Sequence, residues 1–152
     1  MARGKLQEMA QVAEVIAAIA VVISLLYVGR EVQNNTAAVR GAAMQAIATT
    51  DAEALMTIAS DSALSEIIRV GEVDPSSLSE SDAFRFGLYM RQFWLSFQNI
   101  YQQAQLELLD TSVWESYRTI TCDVWRRPGS QALWSRERTV LDPDFVAVVE
   151  AC

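Results

Sequence analysis

Carboxylates are the only side chains here plentiful enough to do proton chemistry. Glu107 and Asp110 lie one helical turn apart, and Glu137 stands between Arg136 and Arg138. Paired carboxylates can divide the acid and base roles of a reaction between them. Neither arrangement has a convergent partner in the sequence, and on helix ends such groups are far more often solvated surface. The absences say more. There is no histidine, which removes Ser-His-Asp and Cys-His catalysis, His-bearing zinc sites, haem held by His and the Glu-x-x-His di-iron motif. Lys5 is the only lysine and lies near the start of the chain, so no Schiff-base or P-loop lysine is available further on. The six glycines are scattered and form no phosphate-cradling loop. Cys122 and Cys152 are too few to build a thiolate metal site. The expectation is a protein that is not an enzyme, with no catalytic residue, no metal and no cofactor.

The remaining polar candidate is Glu14, which interrupts an apolar run. Residues Val12 to Val28 read VAEVIAAIAVVISLLYV. As a helix they span roughly 26 Å, close to the thickness of a hydrocarbon core. Ten of them are Val, Ile or Leu, worth about −3 to −6 kcal/mol on insertion against about +3 kcal/mol for a carboxylate at the bilayer centre. Glu14 sits near one end, where its cost is smaller, so insertion wins. The run ends in Tyr27-Val28-Gly29-Arg30, a poor cleavage site for a signal peptide. A buried core helix is a rival, because Gln11 and Glu14 shorten the clean run. An interfacial helix needs a polar face that Val15 to Val28 lacks. Arg3 and Lys5 flank one side and Arg30 and Arg40 the other, so the positive-inside count is a tie and the side of the C-terminal domain stays undecided.

Small residues recur along this segment. Ala10, Ala13, Ala17, Ala20 and Ser24 follow at intervals of three and four and form one stripe. In lipid such a stripe lets helix backbones approach closely, so it is a candidate association seam, although stripes of this kind are common. Glu14 lies beside it. An ionisable residue in a membrane helix is a candidate polar site, and in an assembly a ring of Glu14 would favour cations at a pore mouth. A Glu this near the boundary can equally reach the headgroups and do nothing else.

The elements that would carry these residues read as helices throughout. The chain has 152 residues, enough for one domain beyond the membrane segment. The first proline is Pro75, so the membrane helix can continue as a stalk to Ser60 despite Gly29 and Gly41, while Thr50 or Asp51 could cap a new helix. Asp61 suits the cap of a short helix over Ser62 to Val70, with Gly71 closing it. Glu72 to Ser81 reads as a loop. From Asp82 to Leu109, Phe86, Met90, Phe93, Phe97, Ile100 and Ala104 fall at alternating steps of four and three, one apolar face widened by Phe84, Leu88, Tyr89, Trp94 and Tyr101. Those aromatics could line a lipid or pigment pocket, but helical spacing favours core. Ser112-x-x-Glu115 reads as a capping box for a helix ending at Arg126-Arg127, before Pro128-Gly129. Ser130 starts a short helix, and Asp142-Pro143 starts the last. The architecture is all-α: residues 1–8 as a tail, 9–29 as a transmembrane helix, 30–60 as a helical stalk and 61–152 as a helical bundle.

Charge narrows the partners. The chain carries twelve basic and nineteen acidic side chains, a net charge of −7, and the whole excess falls after Glu14. An acidic domain repels phosphate backbones, so nucleic acid is not an expected partner. Membrane lipid, a second copy of the chain or other membrane subunits are. The two cysteines allow a single disulfide if the domain faces an oxidising space, or two free thiols, and base rates favour the thiols. Asn34-Asn35-Thr36 is a weak glycosylation match.

Glu14, Ala18 to Val22, Ser24, Leu25, Tyr27, Gln33, Asn35 and Thr36 together resemble the N-terminal signature of a widespread bacterial family of small membrane-anchored helical proteins. Arg85-Phe86, Phe93 to Tyr101, Leu109-Asp110, Trp114, Pro128-Gly129 and Trp134 extend the likeness over most of the chain. Ala17 stands where many members carry Gly, which would slightly loosen close helix packing. The resemblance implies a single-pass protein of the bacterial inner membrane. It implies no activity, because the family has none assigned, and no site residue carries over. Three roles remain open: an interaction or structural protein that self-associates through its membrane helix, an accessory subunit of a larger inner-membrane complex, and an oligomeric cation-conducting pore with Glu14 at its mouth.

Overall fold

The computed structural model describes the backbone of residues 2–152, and the side chains of these apart from 2–10, 12 and 15. Among the described residues every regular element is helical: α1 (Ala2–Ser60), α2 (Ser62–Val73), α3 (Glu80–Gln105), α4 (Thr111–Trp125), α5 (Pro128–Glu137) and α6 (Pro143–Glu150), with 3₁₀ turns at Pro75–Ser77 and Arg138–Val140. The all-α expectation holds. The chain divides into two compact units, the first ending at Gly41 and the second running Ala42–Cys152. The second unit therefore begins inside the segment read as stalk.

The helix α1 runs without a break because nothing in it breaks a helix. It has no proline, and its hydroxyls turn inward on their own backbone: Thr49 Oγ1 donates to Gln45 O at 2.9 Å and Thr57 Oγ1 to Glu53 O at 2.8 Å. Thr50 and Asp51 do not cap a new helix. Asp51 instead accepts a hydrogen bond from the Tyr117 hydroxyl at 2.5 Å. One turn earlier, Ile47 is buried against Ile100 and Leu109.

Local signals place most helix starts. Asp61 caps α2 by accepting from Leu64 N, and Asp142 caps α6 with Pro143 in the first turn, both as the sequence indicates. Several boundaries differ. Gly71 does not close α2; it lies inside the helix, which runs on to Val73. The expected loop contains a 3₁₀ turn, and Ser79 rather than Asp82 opens α3. The Ser112 capping box does not form: α4 starts at Thr111 with Asp110 at the cap position and no side-chain cap bond. Helix α5 starts at Pro128, two residues before Ser130, as proline at a first helical position allows.

Helix α3 ends at Gln105, four residues short of the expected Leu109. Glu107 has φ +57°, and Leu108 N bonds Gln103 O while Glu107 N bonds Ala104 O, both at 3.0 Å. This is a Schellman closure with Glu where Gly is usual. No glycine marks it in the sequence.

The core of the second unit is aromatic. Phe86, Met90, Trp94, Phe145 and Val149 are fully buried. Trp94 meets Trp134 edge-on at 5.1 Å, Trp134 meets Trp125 at 4.8 Å, and Phe93 stacks on Phe97 at 4.2 Å. Such pairs add about 0.5–1.5 kcal/mol each beyond the area they bury. Of the α3 face, Phe84 and Leu88 stay exposed. Helix α2 crosses the start of α5 with its backbone against the other's: a Cβ on Gly129 would overlap the Gly71 carbonyl oxygen and lie 2.9 Å from Phe86 Cζ.

Candidate functional site

The first unit carries the seam residues. Ala13, Ala17, Ala20 and Ser24 are all exposed, and the side chain of Ala10 lies outside the described residues. Ser24 Oγ donates to Ala20 O at 2.9 Å, so its hydroxyl is satisfied within its own helix and leaves a small, low-polarity surface. Glu14 is exposed beside this stripe. The apolar side chains around the same segment are also uncovered, from 53% exposed at Ile19 to 70% at Leu26. Among the described residues one helix, near the N-terminus, is long and apolar enough to cross a membrane, and none of its most apolar stretch is buried in the protein.

The carboxylates of the second unit fall into two kinds. Glu107 and Asp110 are exposed; one occupies the Schellman turn and the other the α4 cap position, and they form no buried site. Glu137 is not solvated surface, contrary to expectation. Its side chain is 1% exposed. Arg91 Nε donates to its Oε2 at 2.9 Å and Arg91 Nη2 to its Oε1 at 3.3 Å, while Arg136 Nε donates to Oε1 at 2.9 Å. The hydrogen bonds to Glu137, then its charge, raise the Arg91 pKa above its ordinary value. Gly87 makes room for this cluster, since a Cβ there would lie 2.8 Å from Arg136 Nη2. Three donors on one carboxylate, with no nucleophile among its hydrogen-bond partners, describe a tie between α3 and α5 rather than a reaction centre.

A groove of about 530 Å³ opens between the C-terminal part of α1, α2 and α3. Ile58, Leu64, Leu88, Phe93 and Phe97 line its apolar wall, with Asp51, Glu53 and Arg85 among its polar residues. Arg85 already pairs with Asp61 at 3.1 Å. Of the aromatic set on α3, Phe86, Trp94, Phe97 and Tyr101 are core, while Phe93 and Phe97 also face the groove. The α3 periodicity contained these residues but not the groove, because the opposing wall comes from segments more than twenty positions away in sequence. Next to it, burial and then the hydrogen bond to Asp51 push the Tyr117 phenol up to about 12.

The cysteines take the disulfide alternative, which base rates disfavoured. Cys122 and Cys152 are joined in a disulfide with Cα atoms 5.2 Å apart, and no cysteine is free. The bridge ties the last turn of α4 to the residues after α6, and Arg126 Nη2 reinforces it by donating to Cys152 O at 3.1 Å. Closing a loop of this length is worth about 3–4 kcal/mol in the chain-entropy account. Among the described residues no group of three or more His, Cys, Asp or Glu is placed to hold a metal ion. Comparison of the chain with family models, curated proteins and solved structures finds no match.

Proposed function

We propose that this chain is a non-enzymatic, single-pass protein of the bacterial inner membrane that self-associates through its N-terminal helix and carries the helical bundle as an interaction or structural module. The observation that carries the reading is the uncovered apolar surface of Ile16 to Val28 on every side of one helix. Exposed to water it would be an aggregation hazard, and in a bilayer it needs no cover. Ala13, Ala17, Ala20 and Ser24 supply a small-residue face within that surface, with the one hydroxyl already bonded inside the helix. Packing between such faces drives helix association in lipid. The absence of His and the single Lys support the non-enzymatic part of the reading.

The test is the native mass of the protein extracted from its own membranes in a mild detergent. A whole multiple of 16.9 kDa is expected, and the double substitution Ala13→Leu with Ala17→Leu should reduce it to one copy. An oligomer unchanged by that substitution would refute the seam. Other polypeptides at fixed ratio would replace the reading with that of an accessory subunit. A pore would instead show cation conductance in planar bilayers that changes with Glu14→Gln.

A further inference from the structure

The Cys122–Cys152 pair carries information that the charge pattern does not. The two positions are 30 residues apart and lie on different elements, so they form no Cys-x-x-Cys redox motif. Nor does the bridge stand in for a missing core, since Phe86, Met90, Trp94, Phe145 and Val149 are fully buried. Both cysteines are half-buried, within reach of an external oxidant. A structural disulfide of this kind persists in compartments that oxidise thiols and is rare where glutathione and thioredoxin keep them reduced. Flanking basic residues on the membrane helix are balanced, Arg3 and Lys5 against Arg30 and Arg40, and so oppose neither orientation.

We infer that the helical bundle lies on the oxidising face of the membrane, with the residues before the apolar segment on the reducing face. This rests on the membrane-spanning reading above. Closing the bond takes two electrons and two protons from the two thiols. They pass to a disulfide-bearing oxidant of that compartment by thiol–disulfide exchange, which leaves the oxidant as a dithiol. The orientation places the groove beside α3 and the Glu137 cluster outside the cytoplasm.

The experiment uses the full-length chain in bacterial cells. Cells are quenched in acid, and free thiols are alkylated with a maleimide bearing a polyethylene glycol chain, with and without prior reduction. The membranes are separately washed in alkaline carbonate, and protease is added to cells whose outer barrier has been opened. The inference expects no mobility shift without reductant and a shift by two polymer chains after it. It also expects retention in the carbonate pellet and loss of the bundle to external protease. The Cys122→Ser, Cys152→Ser double variant, which should not shift in either lane, controls the labelling. Both thiols labelled without reductant in a carbonate-resistant chain, or a bundle protected from external protease, would overturn the orientation and leave the membrane span intact. Oxidised cysteines in a chain washed off by carbonate would refute the span itself.

Discussion

Gly129→Ala should destabilise the bundle although alanine is the better helix former. In an open helix the exchange gains about 1 kcal/mol. At Gly129 the new Cβ would overlap the Gly71 carbonyl oxygen, with the Gly71 carbonyl carbon and Phe86 Cζ each at 2.9 Å. Two of those neighbours are backbone in the last turn of α2, which cannot rotate away as a side chain can. Relief requires α2 and α5 to separate, which loosens the contact both make with Phe86, a residue 1% exposed. Overpacking of this kind costs about 1–3 kcal/mol, and the rigid neighbour places it at the upper end. Set against the propensity gain, the net loss is about 2 kcal/mol, or about 10 °C in melting temperature. The assay is near-ultraviolet circular dichroism of the full-length protein in detergent. All four tryptophans lie in the second unit, so the signal reports the bundle. Gly41→Ala is the matched control, because a Cβ there meets nothing within 4 Å, and it should not lower the melt. A Gly129→Ala protein that melts at or above the parent would refute the close backbone crossing.

Three further perturbations follow from the geometry. Glu107→Gly should raise stability by about 0.5–1 kcal/mol, the left-handed penalty less the entropy that glycine adds to the unfolded chain, read as a higher urea midpoint. Glu137→Gln should lower stability by about 1–3 kcal/mol, because charge-assisted bonds to Arg91 and Arg136 are weakened, and it should leave the native mass unchanged; a shift in oligomer size would show that the cluster does more than tie α3 to α5. Tyr117 holds its proton more tightly folded than unfolded, with a pKa of about 12 against 10.0. Its contribution is therefore complete below pH 10 and is lost as pH rises to 12, so bundle stability should fall across that window and Tyr117→Phe should flatten the fall, checked by denaturant midpoints at each pH.

The sequence alone determined what depends on near neighbours. The lack of proline before Pro75 lets the first helix run on past Gly29 and Gly41, with a restart at Thr50 or Asp51 left open. The Asp61 and Asp142 caps follow from a side chain reaching its own backbone two or three residues on, and the α3 core from apolar spacing that matches the helical period. The lack of histidine excludes catalysis that needs an imidazole, and nothing wider. Tertiary structure decided the rest. Glu137 looks like surface between two arginines until Arg91, 46 residues away, closes over it. Gly71 and Gly129 read as punctuation until two helices need their backbones in contact. Asp51 reads as a cap until Tyr117 claims it, and the cysteines stay ambiguous until α4 and α6 bring their Cα atoms within 5.2 Å. In each case the deciding partner is distant in the chain, and periodicity and capping rules carry no information about distance beyond a few turns.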